Sequence, residues 1–400
     1  MALMISLIAL SIDAMLPALS QMSIDLNIDS PNHRQWIVTA LFLGLSIGQL
    51  FYGPLSDSFG RKRPVYLGLG IFIVGTLVSM LSTGFEWMLA GRFLQGIGAA
   101  SPRIVTLALV RDQYAGRQMA RVMSLVMAVF ILVPALAPAL GQGILWIADW
   151  RAIFGMLLFQ GVLMLTWFGL RQPETLALSK RKPFTLSFIL QSASEVIRHR
   201  ASLGYTLASA AVFGAFLGYL TSAQQIFQGI YLQGDKFPLY FALLALFVGG
   251  ASFVNSRLVM HFGLHSLARL ALWILALIST GFILVVWLCQ PSLPLWLFMS
   301  YMSGAFFCVG ILFGNLNTLA LEPMGHIAGT ASAVVSALSS LLSLPVGAFI
   351  GSQFNDTVAP LIAGFTVLAW LALGFVYMAE KPFPTISRQD APPSVPAKPD

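Results

Sequence analysis

Four hundred residues, 58% hydrophobic and 9% charged, make a chain too apolar for a soluble globular protein, in which roughly half the residues are apolar and about a quarter charged. The net charge of +7 would suit nucleic acid, but the cations stand in short segments beside long apolar runs, so a bilayer is the expected partner and nucleic acid is not. Length is then better counted in membrane spans, each about 20 residues of helix. Hydropathy predicts twelve, at 1–20, 35–55, 64–82, 86–109, 121–144, 152–171, 202–222, 239–257, 268–289, 295–318, 328–351 and 359–378.

The first run has no cation between Met1 and Ile12. A signal peptide carries a positive n-region, so this run reads as a span, from a start lacking a few cytoplasmic residues. It contains Ser11-Ile12-Asp13-Ala14-Met15-Leu16-Pro17. Asp13 is the clear acid inside the spans, since Glu86 and Glu322 fall near span ends. An ionisable group at that depth is expensive, which makes it a functional candidate.

Between the second and third spans runs Tyr52-Gly53-Pro54-Leu55-Ser56-Asp57-Ser58-Phe59-Gly60-Arg61-Lys62-Arg63. Gly53 and Gly60 bracket a tight polar turn, and the cations mark its side as cytoplasmic. Alternation then places both termini in the cytoplasm.

In the fourth span, Arg92 falls at a depth of about 9 Å, similar to that of Asp13. Two readings stand: a permanent Asp13–Arg92 ion pair that pins two helices, or a carboxylate that takes up and returns a proton under the influence of the arginine. Arg103, eleven residues on, lies on nearly the same helix face. It either looks into a cavity or snorkels to the inner interface near Arg111. Pro134 and Pro138 in the fifth span remove two backbone donors and bend the helix.

The longest loop, 171–201, carries Lys180-Arg181-Lys182 and the breakers Pro173 and Pro183, and it divides the spans six and six. The expected organisation is a bundle over 1–171, a cytoplasmic linker over 172–201, a second bundle over 202–379 and a disordered cytoplasmic tail over 380–400. Asn255-Ser256-Arg257 through Phe262-Gly263 echoes the Gly60 turn at the corresponding place in the second half. Cys289 and Cys308 suggest neither a disulfide framework nor a metal cluster, and no cofactor motif is present.

The order Gly-x-Leu-Ser-Asp-x-x-Gly-Arg-Lys from Gly53 to Lys62 resembles the signature between the second and third spans of the major facilitator superfamily, with Ser58 in place of the usual arginine. Arg92-x-x-Gln95-Gly96-x-Gly98 resembles its fourth-span motif. Pro134, Ala137, Pro138 and Gly141 resemble its antiporter motif, with Ala137 and Gln142 replacing glycines. Together with Ser11-Ile12-Asp13-x-x-Leu16-Pro17-Ala18-Leu19 and His326-x-Ala328-Gly329-Thr330-Ala331-Ser332, the chain resembles the Bcr/CflA branch of drug:proton antiporters.

That resemblance implies an all-α membrane protein of twelve transmembrane helices in two six-helix pseudo-repeats, multi-pass in a bacterial inner membrane. It implies export of small amphipathic drugs or metabolites against proton entry, or of one endogenous metabolite or siderophore-like anion. Asp13 and Arg92 are the proton-coupling candidates. Gln49, Arg103, Tyr205, Ser209, Phe213, Phe216, Tyr219, Phe306, Phe307, Asn315 and Asn317 are candidates for the substrate cavity. Gly53, Asp57, Gly60, Arg61, Arg111 and Asp112 are expected to form a conformational latch, with Asp57 docked on the N-terminus of the eleventh span near Gly329. Two buried arginines against one acid favour neutral, zwitterionic or anionic cargo. An intramembrane enzyme would need clustered acids, a metal set or a nucleophile with its base, and a channel would need rings of polar residues. Neither pattern stands in the sequence, so the expected molecule is a monomer without cofactor or metal whose partners are lipid, protons and a small molecule.

Overall fold

The computed structural model describes residues 2–30, 32–114, 116–181, 184–288 and 293–380. Lys182, Pro183, Cys289 and the tail beyond 380 lie outside the described residues. Ten helical segments among those described are long and apolar enough to cross a membrane.

The first span is broken. Helix α1 (Ala2–Asp13) stops at the acid, a 3-10 turn follows at Leu16–Ala18, and α2 (Leu19–Asp25) completes the crossing. The cause is local: the carbonyl of Asp13 would take its helical hydrogen bond from residue 17, which is proline and has no N–H to give. Helices α3 (Trp36–Phe59), α4 (Lys62–Met80), α5 (Phe85–Gln113), α6 (Gly116–Leu145) and α7 (Arg151–Arg171) complete the first half. The connecting segment holds a feature not anticipated from hydropathy, the 13-residue helix α8 (Leu186–Arg198).

The second half runs α9 (Arg200–Gln224), α10 (Phe237–Phe262), α11 (Leu264–Leu288), α12 (Leu295–Leu321), α13 (Ala328–Ser352) and α14 (Ala359–Glu380). Helix α9 ends in a π-helical stretch, Gln225–Ile230. Helices α12 and α13 form a single helical run, Leu295–Ser352, interrupted by the 3-10 segment Glu322–Ile327, where Met324 leaves helical geometry. The echo between the halves has a backbone counterpart. Gly60 after α3 and Gly263 after α10 both sit at positive φ (89° and 76°), a region glycine enters without the Cβ penalty.

Helix α5 is the axis of the first half, packed by α3 and α4, and α9 takes that place in the second, packed by α12, α13 and α14. The approach of α3 to α5 is close because Gly96 has no side chain: a Cβ there would overlap the Leu41 carbonyl oxygen. The two halves meet where α3 faces α13 and α6 faces α10. At one end of this seam, Asn32 donates to the carbonyls of Ser352 (2.9 Å) and Phe354 (3.2 Å) and accepts from Gln225 Nε2 (2.9 Å). Gln224 bonds to Ser20 beside it, and Phe42 meets Phe213 edge-on at 5.8 Å farther in. At the opposite end, which carries the Gly60–Arg61 turn, α3 lies against α13, with Gly53 facing Ala333.

Candidate functional site

Asp13 sits at the break in the first span with 5% of its surface accessible. No hydrogen bond or ion pair reaches its carboxylate from the described residues. The close partner of this break is α6. A Cβ at Gly141 would overlap the Ala14 carbonyl oxygen, so the glycine that follows Pro134 and Pro138 lets α6 lie directly on the turn beside Asp13. Pro138 is buried and Pro134 half-buried within an α6 that remains one helix.

The Asp13–Arg92 ion pair is not formed. Arg92 is fully buried, and its donors go elsewhere: Nε to the Ile37 carbonyl (3.2 Å), Nη2 to the Ser11 carbonyl (2.9 Å) and Nη1 to Gln95 Oε1. Gln95 Nε2 in turn donates to Thr76 Oγ1 (2.9 Å), and the guanidinium lies 5.9 Å from the Phe154 ring. The physical reason is the break. Ser11 lies within four residues of it, and its carbonyl is a backbone acceptor left available next to a planar cation with five donors. Arg92 is thus a brace that ties α1, α3 and α5 together, and α4 through Gln95.

The predicted cavity residues separate into two groups. Phe213, Phe216, Tyr219 and Phe306 form one continuous aromatic cluster, with centroid distances of 6.2 Å for Phe213–Phe216, 5.5 Å for Phe216–Phe306 and 4.8 Å for Tyr219–Phe306. Phe313 completes it, 5.8 Å from Phe213 and 5.5 Å from Phe216. That residue was missed, although it lies two helical turns after Phe306 on the same face of α12. Tyr205 belongs elsewhere. Its hydroxyl donates to Glu380 Oε1 (3.1 Å), and Glu380 also pairs with Arg269 (3.4 Å). Eight residues of helix separate Tyr205 from Phe213, about 12 Å, which carries it out to the end of the bundle. Asn315 is also not open to a ligand, because its amide exchanges two 2.9 Å hydrogen bonds with Asn255 of α10. Phe307 points away from Phe306 into an apolar groove of about 480 Å³ between α10, α11 and α12. Gln49 is buried on α3 and Arg103 half-buried on α5.

The turn after α3 is a charged cluster around Arg61. Its Nε donates to Asp112 Oδ2 (2.8 Å), and its Nη1 to Asp57 Oδ1 (2.6 Å) and Ser56 Oγ (2.8 Å). Burial works against the charge of Arg61, but the hydrogen bonds and charges of Asp112 and Asp57 outweigh it and raise its pKa. Asp57 therefore pairs within its own turn, half exposed, instead of docking on α13, whose N-terminus has no side-chain cap. A full positive charge four residues away outcompetes the half charge of a helix end. Arg111 is exposed and makes none of these contacts.

The linker holds this cluster from outside. Thr175 donates to Asp112 (2.9 Å), and Glu174 accepts from the backbone N–H groups of Arg61 (2.9 Å), Lys62 (3.1 Å) and Leu176 (3.0 Å). Glu174 thereby caps α4 from more than a hundred residues away. Burial would raise the Glu174 pKa, but its three backbone donors and the nearby Arg181 lower it. A depressed carboxylate contributes stability above its unfolded value, about 4.3 for glutamate, and loses it as pH falls through the folded value. Glu174→Gln is accordingly expected to speed tryptic cleavage at Arg181 several-fold at neutral pH, and acidification of the unaltered protein is expected to speed backbone hydrogen exchange at Leu176, which donates to Glu174. Equal cleavage of both proteins at neutral pH would show that Glu174 holds nothing.

A family model described as Major Facilitator Superfamily matches residues 1–344. A bicyclomycin resistance protein homolog of Haemophilus influenzae is 31% identical over 88% of this chain and 87% of its own length. A chloramphenicol resistance protein of Pseudomonas aeruginosa is 30% identical over 92% and 87%. Among solved structures, the xylose transporter XylE from E. coli in a partially occluded inward-open conformation superimposes with a TM-score of 0.69 at 12% identity, over 94% of this chain and 95% of that one.

Proposed function

Since the chain belongs to the Major Facilitator Superfamily and is a multi-pass membrane transporter with drug-resistance relatives, we propose that it is a proton-coupled antiporter that exports small amphipathic molecules by alternating access. The observation that supports this reading most is Asp13: a carboxylate buried at a helix break, without a partner among the described residues, beside the helix α6 that faces α10 of the second half. Such a group is placed to bind and release a proton as the seam opens to either side.

In this reading the chain has twelve spans. The run Leu295–Ser352 counts as two, and α6, whose apolar part is Leu132–Leu145, supplies the remaining one. Residues 1–171 and 202–379 are the two moving bundles, joined by the 172–201 linker, and the protein works as a monomer in the bacterial inner membrane. The cation-rich end at Arg61 faces the cytoplasm with both termini, and Asp57, Arg61 and Asp112 act there as the latch. The hydrogen bonds of Asn32 and Gln224 then close the outer end, and the aromatic cluster of Phe213, Phe216, Tyr219, Phe306 and Phe313 receives the cargo. Arg92 keeps its positive charge among carbonyls, with no carboxylate bonded to it. The site therefore favours neutral, zwitterionic or anionic compounds over permanent cations.

The test is purified protein in vesicles with an imposed pH gradient, screened against aromatic compounds of each charge type. Uncharged or acidic compounds are expected to move against the proton, and ethidium weakly or not at all. Equal movement with and without the gradient would identify a passive carrier instead.

A further inference from the structure

Asp13 has an unsatisfied counterpart in the second half. Tyr219 is fully buried, and its hydroxyl finds no hydrogen-bond partner among the described residues, although a buried phenolic O–H is ordinarily satisfied. The first span and α9 both run from the Arg61 end toward the Asn32 end, where Ser20 and Gln224 bond across the seam. Asp13 lies seven residues before Ser20, and Tyr219 five before Gln224. At 1.5 Å per residue the two groups stand about 10 Å and about 8 Å below that contact, at nearly the same depth. Helix α6 links the two positions: it lies on Ala14 through Gly141 and packs on α10, whose Phe241 stacks on the Tyr219 ring.

The surroundings leave each few other options. The Tyr219 ring is held edge-on by Phe306 at 4.8 Å and stacked by Phe241 at 6.0 Å, so only its hydroxyl hydrogen is free to turn. Around Asp13, α5 contributes Arg92, already committed to Ser11, Ile37 and Gln95. Helix α6 brings residues 134–145, which include no titratable side chain. Helix α7 brings Phe154, and its cations Arg151 and Arg171 stand at its two ends. On α9, Thr221 and Ser222 spend their hydroxyls on carbonyls of their own helix, whereas the Tyr219 hydroxyl has no partner among the described residues.

We propose that Tyr219 is the partner of Asp13 across the seam: its hydroxyl donates to the ionised carboxylate when the two halves close on each other, and is freed when Asp13 is protonated or cargo enters between them. The inference rests on Asp13 being the proton carrier proposed above and adds the group that reports its charge to the second half. A donor bonded to a carboxylate favours the ionised form. Tyr219 therefore helps a buried acid release its proton, and it makes that release favour closure of the seam. It acts through Asp13 and is a positioning residue.

The test needs no known cargo. Full-length protein in vesicles is titrated by infrared spectroscopy, and the protonated-carboxyl band of Asp13 is assigned by its loss in Asp13→Asn. Tyr219→Phe removes one oxygen and keeps the ring contacts, so it is expected to insert and fold. The expected result is a titration midpoint displaced by about one pH unit, a tenfold change in proton binding. The displacement should be to the alkaline side, because a lost donor disfavours the ionised carboxylate. Tyr219→Trp, which keeps an N–H donor on an aromatic ring, should recover part of the displacement. Coincident titrations for Tyr219→Phe and the unaltered protein would overturn this inference and leave the transport reading standing. A protein in which no Asp13 band titrates would overturn both.

Discussion

Asp13→Asn is expected to reduce pH-gradient-driven export to the level of empty vesicles while the protein inserts and folds as before. The two parts of this result have separate physical causes. Coupling is lost because the amide cannot carry a proton, and no other acid among the described residues lies at that depth: Glu86 and Glu322 stand at the ends of α5 and α12. Folding is kept because the carboxylate receives no hydrogen bond or ion pair from the described residues, so the substitution leaves no partner unsatisfied. Moving a charge out of water is costly, and replacing an unpaired buried one by a neutral group of the same shape is favourable. Thermal unfolding of Asp13→Asn should accordingly occur at the same temperature as in the unaltered protein, or higher. Export by the Asn variant that remained gradient-driven would remove Asp13 from the mechanism. A clear loss of thermal stability would show instead that the carboxylate has a structural partner.

Much of the fold was legible because a bilayer limits the options. Helices with satisfied backbones are the economical crossing, so apolar run length located the long helices to within a turn or so, ten segments of which qualify as spans among the described residues, and glycine and cation placement located the turn at Gly60. The features that escaped depend on pairings distant in sequence. Nothing in Glu174 itself says that it will cap a helix starting at Lys62, and Asn315 gives no sign that its amide is matched to Asn255. The Asp13–Arg92 ion pair, one of two readings open in the sequence, rested on depth and opposite charge. Depth was sound, since Arg92 reaches the carbonyl two residues before Asp13. Charge misled because a helix break exposes backbone carbonyls, which compete with a carboxylate for a guanidinium at no cost in ionising an acid. Pro17, which causes the break, was visible, but its effect on Ser11 required the geometry.

That competition makes Arg92 the second position of large effect. Arg92→Met is expected to destabilise the protein by about 2–4 kcal/mol, in the upper range for single substitutions. Ile37 lies inside α3, so its carbonyl retains its helical bond when the arginine is removed. Ser11 lies beside the break, and Gln95 Oε1 is buried, so these two acceptors are left unpaired at about 1–3 kcal/mol each. Part of this is offset because the buried charge disappears with the side chain. Arg92→Lys should fall between methionine and arginine, since one ammonium cannot reach acceptors on three helices at once. The loss should appear as a lowered unfolding temperature in detergent and as faster hydrogen exchange at the C-terminal end of α1, where the brace holds the Asp13 turn. Unchanged unfolding and exchange in Arg92→Met would show that the packing of Gly96 on Leu41 and of Gly141 on Ala14 fixes the break without the arginine, and would return Arg92 to a role in proton transfer alone.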